Sequence, residues 1–176
     1  MRKLRFAYCA LALGLISGYA CAASQGTVTF NGKLIAETCE IDTNDVDKTV
    51  TLPTISTQTL AKAGDEAGST TFTIKAVSCP AAITKVAAHF EALDSTGFDP
   101  VTGNLTNAAA TGGAKNVEVR LYNTDSSVIA VGETGAAFDV QSDQTALMRY
   151  IGGYYATAAT EAGDVTAKVN YTLSYP

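Results

Sequence analysis

The sequence predicts an all-β chain folded as an antiparallel sandwich that carries one disulfide. Three observations lead there. Beyond an N-terminal leader, apolar and polar residues alternate with period two in one segment after another, and helical periodicity is poor. Polar or glycine-bearing connections punctuate those segments, as many short antiparallel strands require. Only two cysteines, Cys39 and Cys79, remain once the leader is removed.

The leader comes first in the chain. Arg2, Lys3 and Arg5 precede an apolar run from Phe6 to Ile16 and then small residues, the order of a secretory signal peptide. The run is shorter than the roughly 20 residues that a membrane-spanning helix needs. Ala20-Cys21-Ala22 is an A-x-A site, so cleavage is expected after Ala22, with Ala23 the alternative. A lipid-bearing Cys21 is the lesser reading, because Gly18-Tyr19-Ala20 lacks the leucine expected three positions upstream. The signal peptide thus spans residues 1–22. Its loss leaves nine basic residues against seventeen acidic ones, a net charge of −8, which argues against nucleic acid and anionic membrane as partners.

The strands follow in order. Val28, Phe30 and Leu34 alternate with Thr27, Thr29, Asn31 and Lys33 in the first segment. Candidate strands then lie at 49–52, around Phe72, Ile74 and Ala76, around Val86, Ala88 and Phe90, and around Val117, Val119 and Leu121. Others lie at 127–131, 136–140, 145–157 and 164–175, and a short helical turn is expected within 59–67. Connections are expected at 42–47, 64–69, 94–113 and 132–135. An even cysteine count after a signal peptide reads as one structural bridge made in an oxidising compartment, Cys39 to Cys79. On the chain-entropy estimate, closing that loop stabilises the fold by about 4 kcal/mol.

Residues that carry chemistry are sparse, and the expected reading is a non-enzyme with no catalytic residue, no metal site and no cofactor. His89 is the only histidine and falls on the outward row of a strand. The acidic run Asp42, Asn44, Asp45, Asp47 lacks the glycine of a calcium loop and has Pro53 at its twelfth position, so it reads as a solvated turn. Asn104-Leu105-Thr106 and Asn170-Tyr171-Thr172 match the glycosylation sequon, a weak motif to which no role is assigned. Tyr150, Tyr154 and Tyr155 suggest a sugar-binding face less well than ordinary strand aromatics.

The two ends carry more. Ala167, Val169, Tyr171, Leu173 and Tyr175 alternate strictly to the penultimate position, and a strand of that kind must be paired or covered at its edge. At the other end Ser24, Gly26, Val28, Phe30, Gly32 and Leu34 share one face of a segment that has no tight turn to pair it locally. Each end can supply what the other lacks, within one chain or between chains.

At these residues the chain resembles the major subunit of chaperone-usher fimbriae, the type 1 pilin family. The resemblance rests on Gly26 to Gly32 ahead of Cys39, on Leu60, Gly64, Gly68, Phe72 and Ile74 ahead of Cys79, and on Asn116 to Leu121. Arg149-Tyr150, Tyr154 to Thr157, and the signature pair Gly163, fourteenth from the end, and Tyr175 complete it. It implies an incomplete immunoglobulin-like sandwich that lacks its last strand. A periodic donor strand in residues 23–35 would complete a neighbour, and the pilin domain would span residues 36–176. The resemblance further implies that a periplasmic chaperone covers the C-terminal strand with Gly163, and that an outer-membrane usher assembles copies of the chain into a surface fimbrium serving adhesion and biofilm formation. A minor or tip subunit, or a carbohydrate-binding adhesin module, is the alternative. The segment ahead of Gly26 is a few residues shorter than is usual in the family.

Overall fold

A computed structural model of the chain describes residues 26–176, so the expected signal peptide and residues 23–25 of the expected donor segment, Ser24 among them, lie outside the described residues. The chain separates into two units, Met1–Leu34 and Ile35–Pro176. The described part of the first, 26–34, is exposed and makes no ladder.

The second unit is built from β1 (Glu40–Ile41), β2 (Glu66–Val77), β3 (Lys85–Phe90), β4 (Leu105–Thr106), β5 (Lys115–Asn123), β6 (Val128–Ile129), β7 (Phe138–Asp139), β8 (Ala146–Glu161) and β9 (Tyr171–Ser174). One sheet runs β1-β2-β8-β5-β4, with β6 also on β5, and the other runs β7-β3-β9. Every named strand pair is antiparallel. Long β2, β5 and β8 follow from their alternating β-branched and aromatic residues, which fit a surface buried on one face.

The two sheets meet on their inward rows. Ile74, Met148 and Leu121 from the large sheet face Val86, Ala88 and Phe90 of β3, all buried. Tyr150 crosses between the layers: its hydroxyl accepts from the Ala88 amide at 2.9 Å and donates to the Ala136 carbonyl at 3.0 Å. Its ring meets Phe90 edge-on with centroids 5.3 Å apart, and Phe138 at 5.8 Å. Such edge-to-face pairs add to the area they bury. The Cys39–Cys79 disulfide closes one end of this core.

Several expectations change. The helical turn expected within 59–67 is a 3-10 turn over Thr57–Leu60, capped by the Ser56 side chain accepting from the Gln58 amide. β2 has already begun at Glu66, where 64–69 was read as a connection; Gly68 at φ +64° lets a register shift between Ala67 and Thr70 be absorbed inside the strand. The connection 94–113 contains β4. The solvated reading of the acidic run fails at Asp45, which is buried, accepts from the Lys75 amide at 2.7 Å and pairs with Lys48. Segment 49–52 joins no ladder, and only Tyr171–Ser174 of 164–175 is regular strand.

Candidate functional site

The C-terminal segment is fastened along one edge only. β9 pairs with β3, from Phe90↔Tyr171 to Ala87↔Ser174. Ahead of it, the carbonyls of Thr166, Lys168 and Asn170 accept from the amides of Ala108, Thr96 and Glu91 at 2.8 to 3.0 Å. The C-terminal carbonyls so engaged all belong to even-numbered residues. Backbone groups alternate between the two edges of an extended chain, so the odd-numbered residues from Val165 to Tyr175 turn their N–H and C=O groups to the other edge. Among the described residues no backbone partner meets them there.

The same odd-numbered residues point their side chains at the core. Val169, Tyr171, Leu173 and Tyr175 pack against it yet are only half-buried, whereas Val86, Ala88 and Phe90 of the neighbouring strand are at most 1% exposed. A row of that composition at the rim of a core marks a layer that ends one strand early.

Residues 39–55 form the facing wall. The Tyr175 hydroxyl accepts from the Cys39 amide at 3.0 Å, and the Tyr171 hydroxyl donates to the Asp45 carbonyl at 2.7 Å. Burial, with the Asp45 charge behind it, pushes the Tyr171 phenol up to about 12, so it keeps the proton it donates. A turn runs to Asp47, and 48–55 beyond it joins no ladder; Val50 and Leu52 are half-buried between exposed Thr49, Thr51 and Pro53. No backbone hydrogen bond joins 46–55 to another segment among the described residues. These two contacts set 39–45 against 171–175 in opposite chain directions, and 46–55 continues beyond them with no ladder of its own among the described residues.

At the far end the walls open into a cleft of about 500 Å³, lined by Ile55, Leu60, Val117, Tyr154, Gly163 and Val165 among others. Gly163 is placed by a close crossing of main chains. A Cβ there would lie 2.4 Å from both the Ala114 nitrogen and the Gly112 oxygen, and the Asp164 amide donates to the Gly112 carbonyl at 2.9 Å. Ala167 lies between cleft and β9 and is half-buried like the rest of the row.

At the N-terminal end, Val28, Phe30 and Leu34 are 75%, 90% and 99% exposed, and Gly26 and Gly32 have open space around them. Sequence reasoning picked out Gly163, Ala167, Val169, Tyr171, Leu173 and Tyr175 but missed the facing wall and the cleft. Val165 continues the odd-numbered row and was available from the pattern; Ile55, one residue out of step with Val50 and Leu52, was not, nor was the role of Asp45.

Elsewhere the polar residues are engaged with one another. Asn104 is 1% exposed, and its side-chain amide donates to Glu118 Oε2 at 2.9 Å while its carbonyl accepts from Arg120 Nε at 2.8 Å, an arrangement that leaves its sequon no access for a glycan. The Arg120 guanidinium lies 3.6 Å over the Tyr155 ring, and Tyr150 is core, so the three tyrosines form no shared face. His89 Nδ1 shares a hydrogen bond with Thr134 Oγ1 at 2.9 Å. Among the described residues, no three His, Cys, Asp or Glu side chains are grouped to hold a metal ion.

An immunoglobulin-like sandwich one strand short, with an apolar groove along its last strand, defines the class of pilus subunits, and comparison with known proteins agrees. Residues 52–176 match the model of the family FimA, type-1 fimbrial protein A. The F17 fimbrial protein of Escherichia coli is 41% identical over 184 aligned residues, 99% of each chain. The major fimbrial subunit SMF-1 of Stenotrophomonas maltophilia is 40% identical, over 87% of this chain and 94% of that protein. In fold, the chain is similar to the P pilus rod subunit PapA, with a TM-score of 0.61 at 17% identity over 78% of this chain and 99% of that one. It is also similar to a chain of a chaperone-usher pilus, with a TM-score of 0.60 at 22% identity over 88% and 97%.

The chain belongs to the type-1 fimbrial protein family. It is a structural subunit of a fimbrium, and its family and relatives are fimbrial subunits.

Proposed function

We propose that this subunit polymerises by donor-strand exchange. After signal cleavage, segment 23–35 of one copy enters the groove of the next, delivering Ser24, Gly26, Val28, Phe30, Gly32 and Leu34 to its floor. The observation that carries this reading is the C-terminal row from Val165 to Tyr175, whose backbone groups and apolar side chains both face a gap. Added strands of this kind gain generic affinity from the ladder and register from side-chain pockets. Burying Val28, Phe30 and Leu34 contributes about 5 to 9 kcal/mol before ordering costs.

The same exposed row needs cover before assembly, because unpaired apolar edges aggregate. A periplasmic chaperone pairing with Gly163 to Tyr175 meets that need, and an outer-membrane usher exchanges it for the next subunit as the fibre leaves the cell, where it supports adhesion and biofilm formation. The test uses a synthetic peptide of residues 23–35 added to isolated mature subunit. Saturating binding with a rise in melting temperature is expected, together with loss of both when the peptide carries Phe30→Asp. Equal binding of the two peptides would rule out this groove register.

A further inference from the structure

Asn31 is the only asparagine followed by glycine in the chain. It also differs from the other six in its surroundings. The side-chain amides of Asn44, Asn104, Asn107, Asn116, Asn123 and Asn170 each donate a hydrogen bond to a fixed oxygen. Asn31 and Gly32 are exposed and outside any ladder, and a Cβ built on Gly32 would meet nothing within 4 Å. We propose that the Asn31–Gly32 step is a spontaneous deamidation site, open in the unassembled subunit and closed when the segment is paired as a donor strand, so that a subunit left unassembled loses its fitness to polymerise.

The chemistry needs water and nothing else. The Gly32 amide nitrogen gives up its proton and attacks Asn31 Cγ; the new N–Cγ bond forms, the Cγ–Nδ2 bond breaks, and ammonia leaves carrying the proton. Water then opens the five-membered imide at either carbonyl, giving aspartate or isoaspartate. Glycine favours the first step because it carries no side chain to obstruct the ring and adopts backbone angles closed to other residues. A paired strand opposes it, since a ladder holds the backbone near ψ of about +135° and employs its amides, and reaction then waits on local opening.

The consequence falls on register. Isoaspartate routes the main chain through the side chain and lengthens it by one carbon between Phe30 and Gly32. Val28 and Phe30 then no longer keep step with Leu34, and a strand with one apolar face does not tolerate a slip. This second half rests on the donor-strand reading; the deamidation itself does not.

The experiment ages the chaperone-bound subunit and the assembled fibre side by side in mildly alkaline buffer. Tryptic peptides ending at Lys33 are weighed for the one-dalton gain, and isoaspartate is counted with isoaspartyl methyltransferase. Deamidation in the fibre is expected to be roughly ten-fold slower or more, as protection by a stable ladder requires. Fibres grown from aged subunits should be depleted several-fold in isoaspartate, and Asn31→Gln subunits should keep their assembly rate on ageing. Failure of the free subunit to deamidate at Asn31 overturns the site while leaving donor-strand exchange untouched. Equal rates in subunit and fibre overturn the protection and the donor-strand reading together. Aged, isoaspartate-rich subunits that enter fibres as readily as fresh ones overturn the loss of fitness alone.

Discussion

Gly163→Ala tests why a glycine stands where the cleft meets the last segment. The added Cβ would sit 2.4 Å from the Ala114 nitrogen and the Gly112 oxygen, and 2.6 Å from the Gly113 carbonyl carbon. All three are main-chain atoms, so no rotamer change relieves the clash. Residues 112–114 must move away from Gly163, which strains the hydrogen bonds Ala114 N–H to Asp164 carbonyl and Asp164 N–H to Gly112 carbonyl, both 2.9 Å. Overpacking of this kind costs about 1 to 3 kcal/mol, and for a domain of this size each kcal/mol lowers the melting temperature by about 2 to 4 °C. Thermal unfolding of the mature subunit should therefore show a fall of about 2 to 12 °C. Gly152→Ala is the control, because the nearest atom to a Cβ there is Leu121 Cδ2 at 4.0 Å. A Gly163→Ala subunit melting within about 1 °C of the parent would show that the close crossing tolerates a side chain.

Removing or ionising tyrosine hydroxyls tests the groove and the core. Tyr175→Phe leaves the Cys39 amide without its hydroxyl acceptor, and Tyr171→Phe deprives the Asp45 carbonyl of a donor. Orphaned amides are rarer than under-used carbonyls, so urea unfolding should show a loss of about 1 to 3 kcal/mol for Tyr175→Phe and a smaller one, about 0.5 to 1.5, for Tyr171→Phe. Titration supplies the other: burial pushes the Tyr171 and Tyr122 phenols up to about 12 from 10.0. A raised folded-state value contributes stability that is complete below 10 and is lost as pH rises through 12. The melting temperature should fall across that window, and the fall should shrink in Tyr171→Phe.

The core strands were legible because their pattern is local. Val86, Ala88 and Phe90 alternate and are buried as expected; Val117 and Leu121 are buried too, but Val119 between them is half-buried and Glu118, expected on the wet row, is buried. The start of β2 was not legible, since Gly68 reads as a loop residue and serves here inside a strand at a register shift. Asp45 was misread because its partners, the Lys75 amide and the Tyr171 hydroxyl at its own carbonyl, are far away in sequence. The groove was legible from one side only. Strict alternation exposed the C-terminal row, whereas the facing 46–55 wall owes its place to residues that tie its start, through Tyr171 and Tyr175, to the other end of the chain.

Donor-strand exchange should leave fibres of this subunit as a heat-resistant ladder of multimers on a denaturing gel, and that ladder is the measurement to make. Phe30 is 90% exposed and belongs to no buried cluster, so Phe30→Asp should leave the subunit folded and disulfide-bonded. Because that residue is expected to fill the groove of a neighbour, the ladder should vanish, while Thr29→Asp on the opposite row should preserve it. An intact ladder from Phe30→Asp would contradict strand donation at this register, and an unfolded Phe30→Asp subunit would show that the segment serves its own chain.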